Sequence, residues 1–173
     1  HSSDEHPWFV ESRSSKTNPK RDWYIWREGK NGQPPNNWES IFNESVWEYD
    51  AATDEYFMHV FSRKQPDLNW ENTEMRAALY DMVRWWLDKG VDGFRIDAIS
   101  HIRKLPGLPD MPNPKGLPTV PSAAGHMNVD GVMDYISDLC ANTFAHYDIM
   151  TVGEANGVTV DQAPEWVAPE QHN

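Results

Sequence analysis

Three ionisable residues sit where their types and spacing could do chemistry. Arg95 and Asp97 are two apart in Val91-Asp92-Gly93-Phe94-Arg95-Ile96-Asp97-Ala98, and Glu154 follows Gly153 at the end of a second short apolar stretch. If both stretches are strands, period two puts Val91, Gly93, Arg95 and Asp97 on one face and Phe94 and Ile96 on the other. Phe94 and Ile96 suit a face packed on a helix. Arg95 and Asp97 then point inward, where charges are costly unless paired or functional. A guanidinium beside a carboxylate keeps it ionised, which suits a nucleophile. A carboxyl in a partly apolar pocket near another carboxylate holds its proton to higher pH, which suits a general acid. Two such carboxyls about 5–5.5 Å apart are what retaining glycoside hydrolysis needs. Spacing alone fits a plain Arg95–Asp97 ion pair with Glu154 on an exposed loop equally well.

The elements that must position these groups are readable from periodicity. Asn72 is a plausible N-cap for a helix whose Met75, Ala78, Leu79, Met82, Val83, Trp86 and Leu87 form one apolar face, with Gly90 as its C′ residue. A strand over residues 91–98 follows, then a long loop marked by six prolines from Pro106 to Pro121. A second helix is predicted over about residues 129–144, with Val132, Tyr135, Ile136, Leu139 and Phe144 on one side, and a second strand over residues 148–153. Helix, strand, loop, helix, strand is the rhythm of a parallel α/β protein, in which function sits at the strands' C-terminal ends. Both strands end there in an acidic residue, Asp97 and Glu154. Their placement carries the weight, because 27 acidic residues are spread along the chain.

Before residue 65 the chain is rich in aromatics and turn residues. Residues 22–27 read as a short strand, residues 29–35 as a loop, and Trp47–Tyr49 with Tyr56–His59 as a hairpin around a polar turn. The expected organisation is a small β-rich subdomain over residues 1–65 and an α/β segment over residues 66–173. Composition narrows the partners. A net charge of −12, from 15 Lys+Arg against 27 Asp+Glu, argues against nucleic acid. No apolar run reaches the ~20 residues of a membrane helix. A single cysteine, Cys140, excludes an intrachain disulfide and agrees with a cytoplasmic location. The seven histidines lack zinc-ligand spacing, and Asp67, Asn69, Glu71 and Asn72 lack the pattern of a calcium loop, so no metal and no cofactor is expected.

Gly93-Phe94-Arg95-Ile96-Asp97-Ala98 and Val152-Gly153-Glu154-Ala155 resemble the nucleophile and acid/base motifs of the α-amylase family of glycoside hydrolases (family 13). Gln65-Pro66-Asp67-Leu68-Asn69 resembles the signature of its oligo-1,6-glucosidase and α-glucosidase subfamily, and residues 1–9 resemble the tail of the motif closing the third barrel strand. The resemblance implies a partial (β/α)8 TIM barrel, from the end of strand three to strand five, with a small β-rich domain inserted after strand three. It implies Asp97 as nucleophile, Glu154 as general acid/base and Arg95 as the arginine beside the nucleophile. It implies His1, Phe42, Phe61 and Gln65 as pocket residues, with plain core as the lesser alternative for Phe42 and Phe61. It implies a retaining exo-acting α-glucosidase on short oligosaccharides. Ala98, where a valine accompanies α-1,6 cleavage, leans the linkage toward α-1,4, as in maltose.

The third catalytic carboxylate of the family and the aspartate before His1 in its motif are not in this sequence. The expectation is therefore an internal fragment, inactive alone, whose partner is the remainder of its own barrel. Other reactions through the same intermediate are an oligo-1,6-glucosidase, a sucrose isomerase and a trehalose-6-phosphate hydrolase. A rival from another class is a non-catalytic interaction protein of the same fold, which would lack the carboxylates retained here.

Overall fold

Pro7 opens the first element. Its missing N–H costs nothing at a helix start, and the His6 imidazole accepts the Trp8 N–H at 3.1 Å, launching α1 (Pro7–Ser14). In this computed structural model, which describes residues 1–167, the chain divides into two units. The first comprises His1–Met75 and Pro106–Gly125; the second comprises Arg76–Leu105 and the described residues from His126 onward.

The first unit contains α1 and strands β1 (Trp26–Arg27), β2 (Trp38–Glu39), β3 (Trp47–Asp50) and β4 (Glu55–Met58). Strands β1, β4 and β3 form an antiparallel sheet in that order, with Trp26 opposite Phe57 and Tyr49 opposite Tyr56. The β3–β4 hairpin is the one expected from sequence. The helix α1 was not expected; it supplies Phe9, whose ring lies 5.0 Å from Tyr24, 5.0 Å from Phe57 and 5.9 Å from Trp26. Residues 22–27 are a strand only at Trp26–Arg27, while Arg21–Trp23 is a 3-10 turn. That turn brings the buried Arg21 guanidinium over the Trp26 ring at 3.5 Å, where it also bonds the Ser12 carbonyl, the Thr53 hydroxyl and Glu55. The two terminal nitrogens of this buried ion are thereby paired, and local strand alternation gives way to the turn that allows it.

The proline-rich segment is held in the first unit by side-chain amides. The Asn37 side chain bonds the carbonyl of Met111 at 2.9 Å and its N–H at 2.8 Å, Asn36 bonds the Leu108 carbonyl at 3.1 Å, and the Trp38 indole donates to the Pro109 carbonyl at 2.7 Å. Prolines lack the N–H a ladder needs, so side chains supply the pairing. The segment becomes a strand only at residues 120–121, which pair in parallel with β2.

In the second unit, α2 (Thr73–Asp88), which begins in the first unit, is capped as expected: the Asn72 side chain accepts the Met75 N–H at 2.9 Å, and Gly90 takes φ 90°. Its buried positions include Met75, Tyr80, Val83 and Leu87, whereas Met82 and Trp86 of the predicted face are exposed. The Tyr80 hydroxyl donates to Asp138 at 2.8 Å, which turns that side of the helix inward. Next come β5 (Gly93–Ile96), β6 (Val120–Pro121, the pairing strand of the first unit), the single turn α3 (Ala123–His126) and α4 (Val132–Asn142). The strand β7 (Met150–Gly153) and α5 (Ala163–Val167) complete the described elements. Both predicted strands and the second helix are present but shorter at their ends. Val132, Ile136, Leu139 and Phe144 are buried, and the Phe94 ring lies 6.0 Å from Phe144. Strands β5 and β7 pair in parallel, Gly93 opposite Met150 through Ile96 opposite Gly153. The chain is thus mixed α/β. Among the described residues, no helix is long and apolar enough to cross a membrane.

Candidate active site

Parallel pairing fixes where the acidic residues emerge. The Glu154 N–H donates to the Ile96 carbonyl at 2.9 Å, extending the β5–β7 ladder by one bond and bringing Glu154 level with the end of β5. Gly93 permits the close pairing at the other end: at φ 146° it packs so tightly that a Cβ would collide with the Met150 carbonyl. At the top of β5 the backbone turns sharply. Ala98 adopts the left-handed region (φ 49°, ψ 33°) and begins the turn Ile99–His101.

Four of the residues singled out from sequence meet there. Arg95 pairs with Asp97 and, through its second terminal nitrogen, donates to Glu154 Oε2 at 3.1 Å. The Ala98 backbone N–H donates to the same oxygen at 3.2 Å. The Asp97 carboxyl is held below the ordinary aspartate range, first by a hydrogen bond from the Glu154 carboxyl and then by the Arg95 guanidinium. Asp97 in turn raises the already high pKa of Arg95. A carboxylate kept ionised by a guanidinium, with a second carboxyl beside it, has the form of a nucleophile–acid pair. In this chain the side chains are open: 59% exposed for Arg95, 62% for Asp97 and 37% for Glu154. Strand β7 is exposed at every position, so little covers that side of the pair.

The remaining candidates lie in the first unit. The His1 ring lies 5.5 Å from Phe61 at a tilt of 56°, and Gln65 Nε2 is 3.2 Å from His1 Nε2. The structure therefore gathers His1, Phe61 and Gln65 into one polar–aromatic group. Phe42 occupies a separate exposed turn, where its N–H donates to the Ser40 hydroxyl at 3.3 Å; its exposure argues against a core role. Sequence reading missed two participants. One is the Ala98 N–H, since a backbone donor has no residue type to betray it. The other is Asn156, whose side-chain amide is 3.4 Å from Glu154 Oε1; an amide two residues beyond a strand-end acid was the available signal. No group of three or more His, Cys, Asp or Glu among the described residues is arranged to hold a metal ion.

Comparison with known proteins places this geometry in context. The family model for the α-amylase catalytic domain matches residues 1–173. The chain is 64% identical over 166 residues to a probable oligo-1,6-glucosidase 3 of Bacillus subtilis, covering 96% of this chain and 30% of that protein. It is 53% identical over 172 residues to an oligo-1,6-glucosidase of Halalkalibacterium halodurans, covering 99% of this chain and 31% of that one. Among solved structures, the trehalose-6-phosphate hydrolase of Bacillus licheniformis superposes with a TM-score of 0.91 at 38% identity, over 100% of this chain and 30% of that chain. The chain thus spans about 30% of the length of the relatives it matches. With a full-length family match and relatives that are glycoside hydrolases, the chain belongs to the α-amylase catalytic-domain family.

Proposed function

We propose that this chain is the strand-three-to-strand-five segment of a (β/α)8 barrel, with residues 1–65 as its inserted subdomain, and that it carries the catalytic pair of a retaining exo-α-glucosidase. The observation that carries the reading is Arg95, bonded to both Asp97 and Glu154 at the ends of adjacent parallel strands. Asp97 attacks the anomeric carbon as the glycosidic bond breaks, and the Glu154 proton moves to the departing oxygen. The product is a glycosyl ester on Asp97. Glu154, now a carboxylate, takes a proton from water as that water attacks the same carbon and frees Asp97. Arg95 keeps Asp97 ionised. The Ala98 N–H and Arg95 hold Glu154 Oε2, so that Oε1 is the oxygen that moves the proton. The family resemblance assigns His1, Phe42, Phe61 and Gln65 to the wall of the sugar pocket.

The substrate class is a short oligosaccharide with a terminal α-linked glucose. Ala98 supports an α-1,4 preference, because its small side chain leaves room where a β-branched one would not. A second reading, α-1,6 cleavage, draws on the relatives named oligo-1,6-glucosidase. The remainder of the barrel is the proposed partner of this segment.

The test uses the parent enzyme, with glucose release from maltose and isomaltose followed side by side and the anomeric form of the product read by NMR. Release of α-glucose, reduced on the order of 10⁴-fold by Asp97→Asn, is expected. Faster release from isomaltose would transfer the linkage to the second reading. No release from either sugar would remove the hydrolase assignment. The depressed Asp97 carboxyl also predicts an acid limb of kcat/KM below the ordinary aspartate value, moving upward in Arg95→Ala.

A further inference from the structure

The first unit carries an open groove of about 680 Å³ that shares no residue with the catalytic pair or with the His1 group. It is lined by Lys16, Glu28, Gly29, Gly32, Tyr49, Asp54 and Tyr56. Tyr49 and Tyr56 stand directly opposite one another across β3 and β4, with ring centroids 5.2 Å apart at a tilt of 55°. The Tyr49 hydroxyl donates to Asp54 Oδ1 at 2.9 Å, which fixes one ring and orients the carboxylate. The facing wall is the tight turn from Lys30 to Gln33, closed by reciprocal backbone bonds of 2.9 and 3.0 Å with Asn31 and Gly32 at positive φ. Gly29 packs under Tyr56. A Cβ there would lie 2.8 Å from the ring and 2.7 Å from the Gln33 carbonyl, so only glycine leaves this approach open. Lys16 reaches the rim and pairs with Glu55 at 3.2 Å.

We infer that this groove is a second carbohydrate-binding site, taking a neutral oligosaccharide of pyranose units. The chemistry selects that ligand. A tyrosine ring offers a flat apolar face to the C–H side of a sugar while its surroundings hydrogen-bond the hydroxyls. Acceptors (Glu28, Asp54) and a donor (Lys16) are interspersed around the aromatic pair, as a polyol requires. A phosphate would face two carboxylates, and an apolar ligand would strand three charges. The half-exposed Tyr49 ring is thereby given a partner. The groove's geometry uses neither Asp97 nor Glu154, and only the choice of Asp97→Asn in the test rests on the proposed nucleophile.

The experiment is calorimetric titration of the parent enzyme carrying Asp97→Asn, which keeps the sugar intact, with maltotetraose and with glucose 6-phosphate. Tyr49→Ala removes one maltotetraose binding event, or weakens it at least tenfold, while any event at the proposed catalytic site remains. Asp54→Ala weakens the same event several-fold, and Tyr49→Phe, which keeps the ring, retains it within about threefold. In the enzyme with Asp97 intact, Tyr49→Ala leaves hydrolysis of a small chromogenic α-glucoside unchanged. Tyr49 is on the surface, so its truncation is compatible with folding, which the unchanged hydrolysis verifies. The same isotherm with and without Tyr49 would overturn the inference, as would tighter binding of glucose 6-phosphate than of maltotetraose at this site. Loss of the other binding event alone would instead count against the proposed catalytic pocket.

Discussion

The aromatic subdomain and the β5–β7 strand pair both contain apolar strands and are sealed to different degrees. In the first, Trp38, Tyr24, Phe9, Met58 and Val60 are essentially removed from solvent, and the buried Arg21 finds partners for its terminal nitrogens. In the second, Met150 is 71% and Val152 51% exposed, although both are apolar and lie on a strand. Burying apolar area is what stabilises a fold, at roughly 25 cal/mol per Å². The first region collects that gain from within itself. The second is organised mainly by backbone pairing and one covered side, and there the proposed catalytic groups are exposed. The exposed side of β7 is where the proposed remainder of the barrel would pack.

Substitutions can break or sharpen that contrast. Trp38→Ala removes a fully buried indole and its bond to Pro109, and is expected to cost about 3–5 kcal/mol in chemical unfolding followed by tryptophan fluorescence. Gly93→Ala forces a side chain into φ 146° against the Met150 carbonyl. It is expected to cost about 3 kcal/mol and to loosen β5–β7, read as faster amide exchange at Glu154 while the first region keeps its protection. Glu55→Gln leaves Arg21 buried with a weaker partner and is expected to cost about 2 kcal/mol. Burial pushes the Glu55 carboxyl up, but bonds from Arg21 and Lys16 outweigh it, and its pKa lies below the ordinary glutamate value. Its contribution is therefore complete above the unfolded-state pKa of about 4.3 and is lost as pH falls through the lower folded one. Unfolding across that window should show the loss in the parent chain and not in Glu55→Gln. Val152→Thr in the open strand should change stability by less than about 0.5 kcal/mol. A large effect there would mean that β7 is covered after all.

How much of this was legible in the sequence depends on range. The N-cap Asn72, the C′ glycine Gly90, the β3–β4 hairpin and both parallel strands follow from local pattern, and local physics decided them. Strand alternation placed Asp97 and Glu154 at the strand ends but left a plain ion pair equally open, and it was the family resemblance of the surrounding motifs that suggested their roles. What escaped was set by partners far away in sequence. The 3-10 turn at Arg21–Trp23 answers to Thr53 and Glu55, and the proline segment is tied to Asn36, Asn37 and Trp38 some seventy residues earlier. The buried stripe of α2 rotated toward Asp138 for the same reason. Helix α1 was a different kind of miss. Its signal, a proline at the first helical position, was present but overshadowed by the aromatic residues around it.

Ala98 joins two jobs in one peptide unit. Its methyl group occupies the position proposed to select the linkage, and its N–H, aimed by a left-handed backbone, holds the oxygen of Glu154. A β-branched residue tolerates that backbone poorly. Under the proposed assignment, a β-branched substitution at residue 98 therefore alters the linkage-selecting side chain and the backbone donor to Glu154 together.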